Sequence, residues 1–101
     1  MNTRAPLLLA ALLTAVSMIP AQAASASYDC NGGTRLTASF SPPDAQRSRA
    51  VLAFADGSKA TLPQVRSADG GRYANVRVEF WIKGNSATLT RAGRSETCHT
   101  R

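Results

Sequence analysis

Apolar and polar residues alternate along short runs of this chain, most clearly between residues 76 and 83. The apolar positions are Val76, Val78, Phe80 and Ile82, and the polar or outward positions are Arg77, Glu79, Trp81 and Lys83. A period of two is typical of a half-buried strand, because successive side chains of a strand point to opposite faces. The pattern therefore predicts a strand over 76–83. A second strand is predicted over 86–91, where Ala87 and Leu89 continue the apolar set after a glycine turn.

The same alternation recurs earlier in the chain, and no stretch shows a convincing helical repeat. The predicted inward residues are Leu36, Ala38 and Phe40 in one run, Leu52 and Phe54 in the next, and Ala60 and Leu62 in a third. Turn residues separate these runs: Ser41 to Asp44 break the first, Asp56-Gly57 signals a two-residue hairpin, and Pro63 is expected to end its strand.

The remaining elements complete an all-β prediction. A loop is expected over 66–71, a turn at Ala92 and Gly93, and a last strand that holds Cys98. Seven or eight short antiparallel strands at this spacing predict a small barrel or sandwich. Closure into a barrel leaves no unpaired strand edge, which suits a small exported protein.

The first 23 residues are expected to be a cleaved signal peptide, so that the folded domain comprises residues 24–101. Arg4 is followed by an apolar run from Leu7 to Ile19, and the segment 20–23 reads PAQA, a pattern typical of signal-peptidase sites. The alternative is a membrane anchor, but about 13 apolar residues are short of the roughly 20 that span a bilayer. No cysteine lies at the cleavage point to accept a lipid, so we expect neither a lipoprotein nor a membrane anchor.

Two cysteines, Cys30 and Cys98, lie near the two ends of the expected mature chain. An even count in a small exported domain favours a disulfide between them. In the chain-entropy model, closing a loop of about 70 residues lowers the conformational entropy of the unfolded chain and stabilises the folded state by roughly 4 kcal/mol. With about 78 residues left after cleavage, only one domain with a modest core fits.

The chain is basic, with a formal net charge of +6. Removing Arg4 with the leader leaves 12 − 1 = 11 Lys and Arg against 6 Asp and Glu, a net charge of +5. Such a balance is typical of proteins that bind nucleic acid, an anionic surface or an acidic partner. Because the basic residues are scattered singly and the protein is exported, we do not expect it to bind nucleic acid.

Catalytic chemistry finds little support in the sequence. The single histidine, His99, lies near the end of the chain and is interpreted as a solvated tail residue. One histidine and two oxidised cysteines do not supply the ligands of a metal site. The six carboxylates are dispersed, and no pair is placed for acid and base work. We therefore expect a binding protein rather than an enzyme, with no cofactor and no metal.

Two residues of the 80–89 segment, FWIKGNSATL, are candidates for binding. Lys83 is predicted at a hairpin tip with its side chain on the outer face, where it is either a solvated turn lysine or a cation meant for an acidic pocket. Trp81 on the same face is either a lid over the barrel edge, an aromatic anchor in an interface, or a platform for a sugar ring.

These residues resemble a known family, the bacterial inhibitors of c-type lysozyme in their membrane-bound and periplasmic forms. The resemblance covers nearly all of the mature chain and includes Tyr28, Cys30, Gly33, 36–40, Val51, Leu52, Asp56, Gly57, Leu62, the segment 67–73 (SADGGRY), Phe80, Trp81, Lys83, Gly84, Ala87, Leu89 and Cys98. It implies a small antiparallel β-barrel with one disulfide, located in the periplasm, whose partner is a c-type lysozyme. The oligomeric state stays open.

The resemblance also implies a mode of action. Lysozymes cleave with two carboxyl groups, one protonated and one ionised, and an ammonium placed between them would pair with the ionised group. The resemblance assigns this ammonium to Lys83 and places the loop Ser67–Tyr73 beside it in the cleft. The predicted lysozyme-binding residues are Ser67, Asp69, Gly70, Arg72, Tyr73, Trp81 and Lys83.

The chain departs from the family pattern at Asp69, where the family places a serine that donates a hydrogen bond to a catalytic carboxyl group. An ionised aspartate accepts but does not donate. Three outcomes are open: Asp69 accepts the proton of the catalytic acid, it caps its own loop or pairs with Lys83, or Ser67 takes the donor role. A turn residue that serves only the shape of the loop is the fourth interpretation.

Two other functions remain in competition with inhibition. The first is a binding module for anionic glycan or cell wall without inhibitory activity, which the net charge of the mature chain would suit. The second is a structural protein of the envelope that acts on no lysozyme.

Overall fold

Eight antiparallel strands close into a barrel in the computed structural model, which describes residues 24–42 and 45–101. Each strand pairs with the next along the chain, and the first pairs with the last. The prediction of an all-β barrel is confirmed, with eight strands. They are β1 Ser25–Cys30, β2 Arg35–Phe40, β3 Arg49–Phe54, β4 Lys59–Val65, β5 Gly71–Ala74, β6 Val78–Lys83, β7 Ser86–Arg91 and β8 Arg94–Thr100.

The up-and-down order fixes which loops share an end of the barrel. The described parts of the β2–β3 connection, 41–42 and 45–48, and the connections 66–70 and 84–85 lie at one end, which we call the Lys83 end. The connections 31–34, 55–58, 75–77 and 92–93 lie at the opposite end. The two segments predicted to bind a partner therefore share one end.

Alternation along the strands fills the barrel interior with apolar side chains. The largest fully buried ones are Leu36, Leu52, Leu62, Phe80, Leu89 and Cys98. Tyr28 packs edge-on against Phe80, with 5.1 Å between the ring centroids. Burial of these side chains supplies the main favourable free energy of folding. Every inward residue predicted from the alternation in β2, β3, β4 and β7 contacts this core or belongs to it.

A disulfide joins Cys30 of β1 to Cys98 of β8, as predicted. The two residues lie directly opposite each other in the register of these strands, and both are buried. The bridge therefore fastens the barrel at the seam where its first and last strands meet.

The strand predicted to begin at Val76 begins two residues later, at Val78. Val76 lies in the preceding turn and is 99 % exposed, so the prediction that it faces the core was wrong. The cause is Asn75, whose side-chain oxygen accepts hydrogen bonds from the backbone N–H groups of Arg77 and Val78, both at 2.8 Å. Asparagine is well suited to such a local turn.

Pro63 does not end its strand, contrary to the prediction, because β4 runs on to Val65. The Gln64 N–H donates to the Ser48 carbonyl at 2.9 Å, on the side of β3. N–H groups alternate between the two sides of an antiparallel strand, so the N–H of a residue at position 63 would point away from β3. The N–H that Pro63 lacks therefore costs no hydrogen bond to β3. The proline is tolerated there.

The hairpin signalled by Asp56-Gly57 has a longer loop than the two residues predicted. The Phe54 N–H donates to the Ser58 carbonyl at 2.8 Å, so that residues 55–57 form the connection, with Gly57 at a φ of 93°. The Ser58 hydroxyl and N–H donate to the Asp56 carboxylate, and these bonds lower the pKa of Asp56. The sequence located this turn but not its length.

The predicted signal peptide, residues 1–23, lies outside the described residues, so that boundary stays a prediction. In residues 24–42 and 45–101, no helix has the length and apolar character of a transmembrane span.

Candidate functional site

Lys83 lies at the tip of the hairpin between β6 and β7, as predicted. It pairs with Ser86 across a two-residue turn in which Gly84 has a φ of 60°. Its side chain is on the outer face of the barrel and is 58 % exposed. The ammonium group is therefore presented to solvent at the Lys83 end.

The 66–70 loop lies directly beside this hairpin. It leads into β5, which pairs with β6, so that Gly71 lies opposite Ile82 and Arg72 lies opposite Trp81. The indole Nε1–H of Trp81 donates to the Asp69 carbonyl at 3.0 Å. This bond links the loop to the strand that carries Lys83.

Gly70 allows the loop to approach the hairpin closely. A Cβ atom built on Gly70 would lie 2.1 Å from the Ile82 carbonyl oxygen, a distance that no side chain tolerates. Its φ of 66° is in the left-handed region, which also favours glycine. Any other residue at position 70 would separate the loop from β6.

The Asp69 carboxylate pairs with Lys83, which is one of the outcomes left open by the sequence. An oxygen of Asp69 lies 3.8 Å from the Lys83 Nζ, and the two side chains are 69 % and 58 % exposed. Ion pairs this exposed contribute about 0–1 kcal/mol. Asp69 therefore holds Lys83 only weakly.

Trp81 lies under two cations on the outer face. The Lys83 Nζ lies 4.5 Å from its ring centroid and the Arg72 guanidinium carbon lies 5.0 Å from it. Arg72 is in turn fixed by Glu79, which accepts its Nε–H at 2.9 Å. The indole ring thus contacts two cations and also holds the loop, and the three alternatives predicted for Trp81 stay open.

Two predicted residues are engaged in other ways. The Ser67 hydroxyl donates to the Gly70 carbonyl at 3.1 Å, within its own loop. Tyr73 points inward, with its ring centroid 5.5 Å from that of Phe40, and burial raises the pKa of its phenol. The structure thus gathers the other predicted binding residues at one surface and places Tyr73 behind them as a packing residue.

Sequence reasoning missed a polar row next to Lys83. His99 was interpreted as a tail residue, but it belongs to β8 and lies opposite Ser86, which in turn lies opposite Lys83. The Ser86 hydroxyl and the His99 Nδ1 are 3.2 Å apart. Only the strand register shows this neighbourhood, because His99 and Lys83 are far apart in the sequence.

Metal binding finds no site in the part of the chain that the structure describes. No three His, Cys, Asp or Glu side chains come together there. What the site offers instead is an exposed ammonium group over the Trp81 ring, flanked by the 66–70 loop. Such a surface suits contact with a carboxylate of a partner.

Comparison with known proteins gives consistent matches. The family model described as "Membrane-bound lysozyme-inhibitor of c-type lysozyme" matches residues 28–97. A protein of Yersinia enterocolitica named membrane-bound lysozyme inhibitor of C-type lysozyme is 38 % identical over 80 residues, which cover 79 % of this chain and 64 % of that protein. A protein of Cupriavidus necator with the same name is 40 % identical over 63 residues, covering 61 % of this chain and 48 % of its own length. The matched region thus spans less than two thirds of either relative.

A solved structure shares the fold. The chain superimposes on Pseudomonas aeruginosa MliC, crystallised in complex with hen egg white lysozyme, with a TM-score of 0.65 and 27 % sequence identity. The match covers 100 % of both chains.

Proposed function

This chain belongs to the family of membrane-bound lysozyme inhibitors of c-type lysozyme, and we propose that it inhibits such a lysozyme by filling the active-site cleft. The family consists of proteins that bind an enzyme rather than of enzymes. The observation that carries the proposal is the exposed Lys83 ammonium beside the 66–70 loop, with Trp81 bonded to the Asp69 carbonyl between them.

In this proposal the Lys83 ammonium enters between the two catalytic carboxyl groups of the lysozyme. One of these groups is ionised in the free enzyme and accepts the cation directly. At 4 Å the attraction is about 1 kcal/mol in water and about 4 kcal/mol at an effective dielectric constant of 20. The Asp69 contact that Lys83 gives up contributes about 1 kcal/mol at most. Exchange of Asp69 for a carboxylate in a water-poor cleft therefore increases the Coulomb attraction, which must exceed the cost of desolvating the two charges.

The loop and the tryptophan support this insertion. Trp81 lies beneath the ammonium, and Gly70 brings the loop against β6, so that hairpin and loop present one continuous edge. A pre-formed edge loses little conformational freedom on binding, which improves affinity. Substrate is excluded because the edge occupies the space of the sugar chain.

The names of the relatives indicate an envelope location, since both are described as membrane-bound. We propose that this chain works in the periplasm, where a lysozyme that crosses the outer membrane meets the cell wall. The expected signal peptide and the expected absence of a lipid anchor stay predictions.

Lysis of cell walls, followed by turbidity, tests inhibition. The purified domain in excess over a c-type lysozyme is expected to stop the fall in turbidity and to form a complex that survives gel filtration. Retention on purified peptidoglycan without lysozyme, together with undiminished lysis, would favour the glycan-binding module instead. If the domain neither inhibits lysis nor is retained on peptidoglycan, the remaining alternative is a structural protein of the envelope.

A further inference from the structure

A second positively charged feature lies next to the loop that contains Asp69. It is a cleft of about 680 Å³ between the connection from β2 to β3 and the end of β4. Arg47 and Arg66 line it, and Ser67 and Gly70 form its border with the 66–70 loop. We call it the arginine cleft. Its residues therefore continue the surface that carries Lys83.

The charges in the arginine cleft are not balanced by the described part of the chain. Among residues 24–42 and 45–101, no carboxylate lines the cleft. The ion pairs among the described residues use Arg35, Arg72, Lys83, Arg91 and Arg101 as cations. Arg47 and Arg66 take part in none of these pairs, and both are exposed. This contrasts with Lys83, which has Asp69 beside it.

The arginines suit carboxylates on a protein surface. A guanidinium group presents a planar fork of donors that matches a carboxylate with two parallel hydrogen bonds. A partner that covers Lys83 and the 66–70 loop reaches the border of the arginine cleft, because Ser67 and Gly70 belong to both surfaces.

We infer that the arginine cleft binds acidic side chains on the rim of the target's active-site cleft, so that this chain selects c-type lysozymes with an acidic rim. The inference rests on the proposed inhibition and adds the kind of lysozyme that is recognised. Residues 24–101 contain 11 Lys and Arg and 6 Asp and Glu, which gives a net charge of +5. A strongly basic lysozyme would repel a domain with this charge. An acidic rim converts this repulsion into attraction and faster association.

The double variant Arg47→Ala/Arg66→Ala tests the inference against a matched control. Arg77→Ala/Arg94→Ala removes the same charge at the opposite end of the barrel, from exposed arginines that also belong to none of the ion pairs among the described residues. Binding is measured by surface plasmon resonance at several ionic strengths. Two c-type lysozymes are used, chosen from their sequences to have an acidic and a basic rim.

For the acidic-rim lysozyme, the cleft variant is expected to bind at least about tenfold more weakly at low ionic strength, chiefly through slower association. Its Kd should also depend less on salt than that of the wild type. The control variant is expected to stay within about twofold, and the wild type should prefer the acidic-rim lysozyme.

Three results would overturn the inference and leave inhibition standing. The first is equal losses in the cleft variant and the control, which would mean that only overall charge matters. The second is a lysozyme that the cleft variant binds as tightly as the wild type does, although the Lys83→Ala variant no longer binds it. The third is loss of the cleft variant's retention on anionic glycan with its lysozyme binding intact. Failure of the wild type to bind either lysozyme would instead refute the proposed function, and the inference with it.

Discussion

Replacing Lys83 by alanine is expected to weaken inhibition of a c-type lysozyme by at least about tenfold, which corresponds to about 1.4 kcal/mol of binding free energy. The side chain is exposed at the hairpin tip and contributes nothing to the buried core. Its removal deletes the proposed cation from the lysozyme cleft and leaves the barrel intact. The inhibition constant from the lysis assay measures the loss, and circular dichroism with thermal unfolding checks the fold.

Lys59→Ala is the matched control for this variant. Lys59 begins β4 at the opposite end of the barrel and is also exposed, so its replacement changes the net charge equally. We expect Lys59→Ala to inhibit as well as the wild type. Equal potency of all three proteins would show that the Lys83 ammonium does not enter the cleft, and equal losses would show an effect of net charge alone.

Replacing Asp69 by serine is expected to tighten binding to a c-type lysozyme by at least about tenfold. Three effects add in the same direction. The variant frees Lys83 from its partner at 3.8 Å, and it removes a negative charge that would face the catalytic carboxylates. Like charges at 4 Å repel by about 1 kcal/mol in water and about 4 kcal/mol at an effective dielectric constant of 20. A serine hydroxyl also supplies a donor that a carboxylate lacks.

Titration calorimetry measures this gain, with two further variants to separate its causes. Asp69→Ala removes the charge without supplying a hydrogen-bond donor, and Asp56→Asn removes one charge at the opposite end. The tie between the Trp81 indole and the 66–70 loop should survive in all of them, because the acceptor in that loop is a backbone carbonyl. An unchanged Kd for Asp69→Ser would mean that the side chain does not reach the catalytic groups. Weaker binding would mean that Asp69 accepts a proton from the catalytic acid or orients Lys83.

Much of the barrel follows from local signals in the sequence. The alternation in β2, β3 and β7 shows directly which side chains point into the barrel. Successive side chains lie on opposite faces of a strand, and only one face of these strands is apolar. β1 was not predicted individually, although its sequence, SASYDC, also alternates between polar residues and apolar or aromatic ones. Two errors fell at turns, where Asn75 and Asp56 form side-chain hydrogen bonds whose geometry the hydrophobic pattern does not contain.

The site was predicted less completely than the fold. Position and exposure of Lys83 follow from its hairpin, and its pairing with Asp69 was one of several alternatives. The contact between the loop and the hairpin depends on the register of β5 with β6 and on the space that Gly70 leaves. The arginine cleft depends on loops that are distant in sequence. Such long-range proximity has no local signal in a single sequence.

Inhibition by cleft occlusion requires the Lys83 end of the barrel to occupy the substrate cleft of the lysozyme. Competition with a short cell-wall oligosaccharide that fills this cleft tests the claim directly, with the Kd of the complex measured by calorimetry at rising oligosaccharide concentration. We expect the apparent Kd to rise in proportion to the oligosaccharide concentration once the cleft is mostly filled, because the two ligands exclude each other. A Kd that stays constant at saturating oligosaccharide would show that both bind at once, and would contradict cleft occlusion.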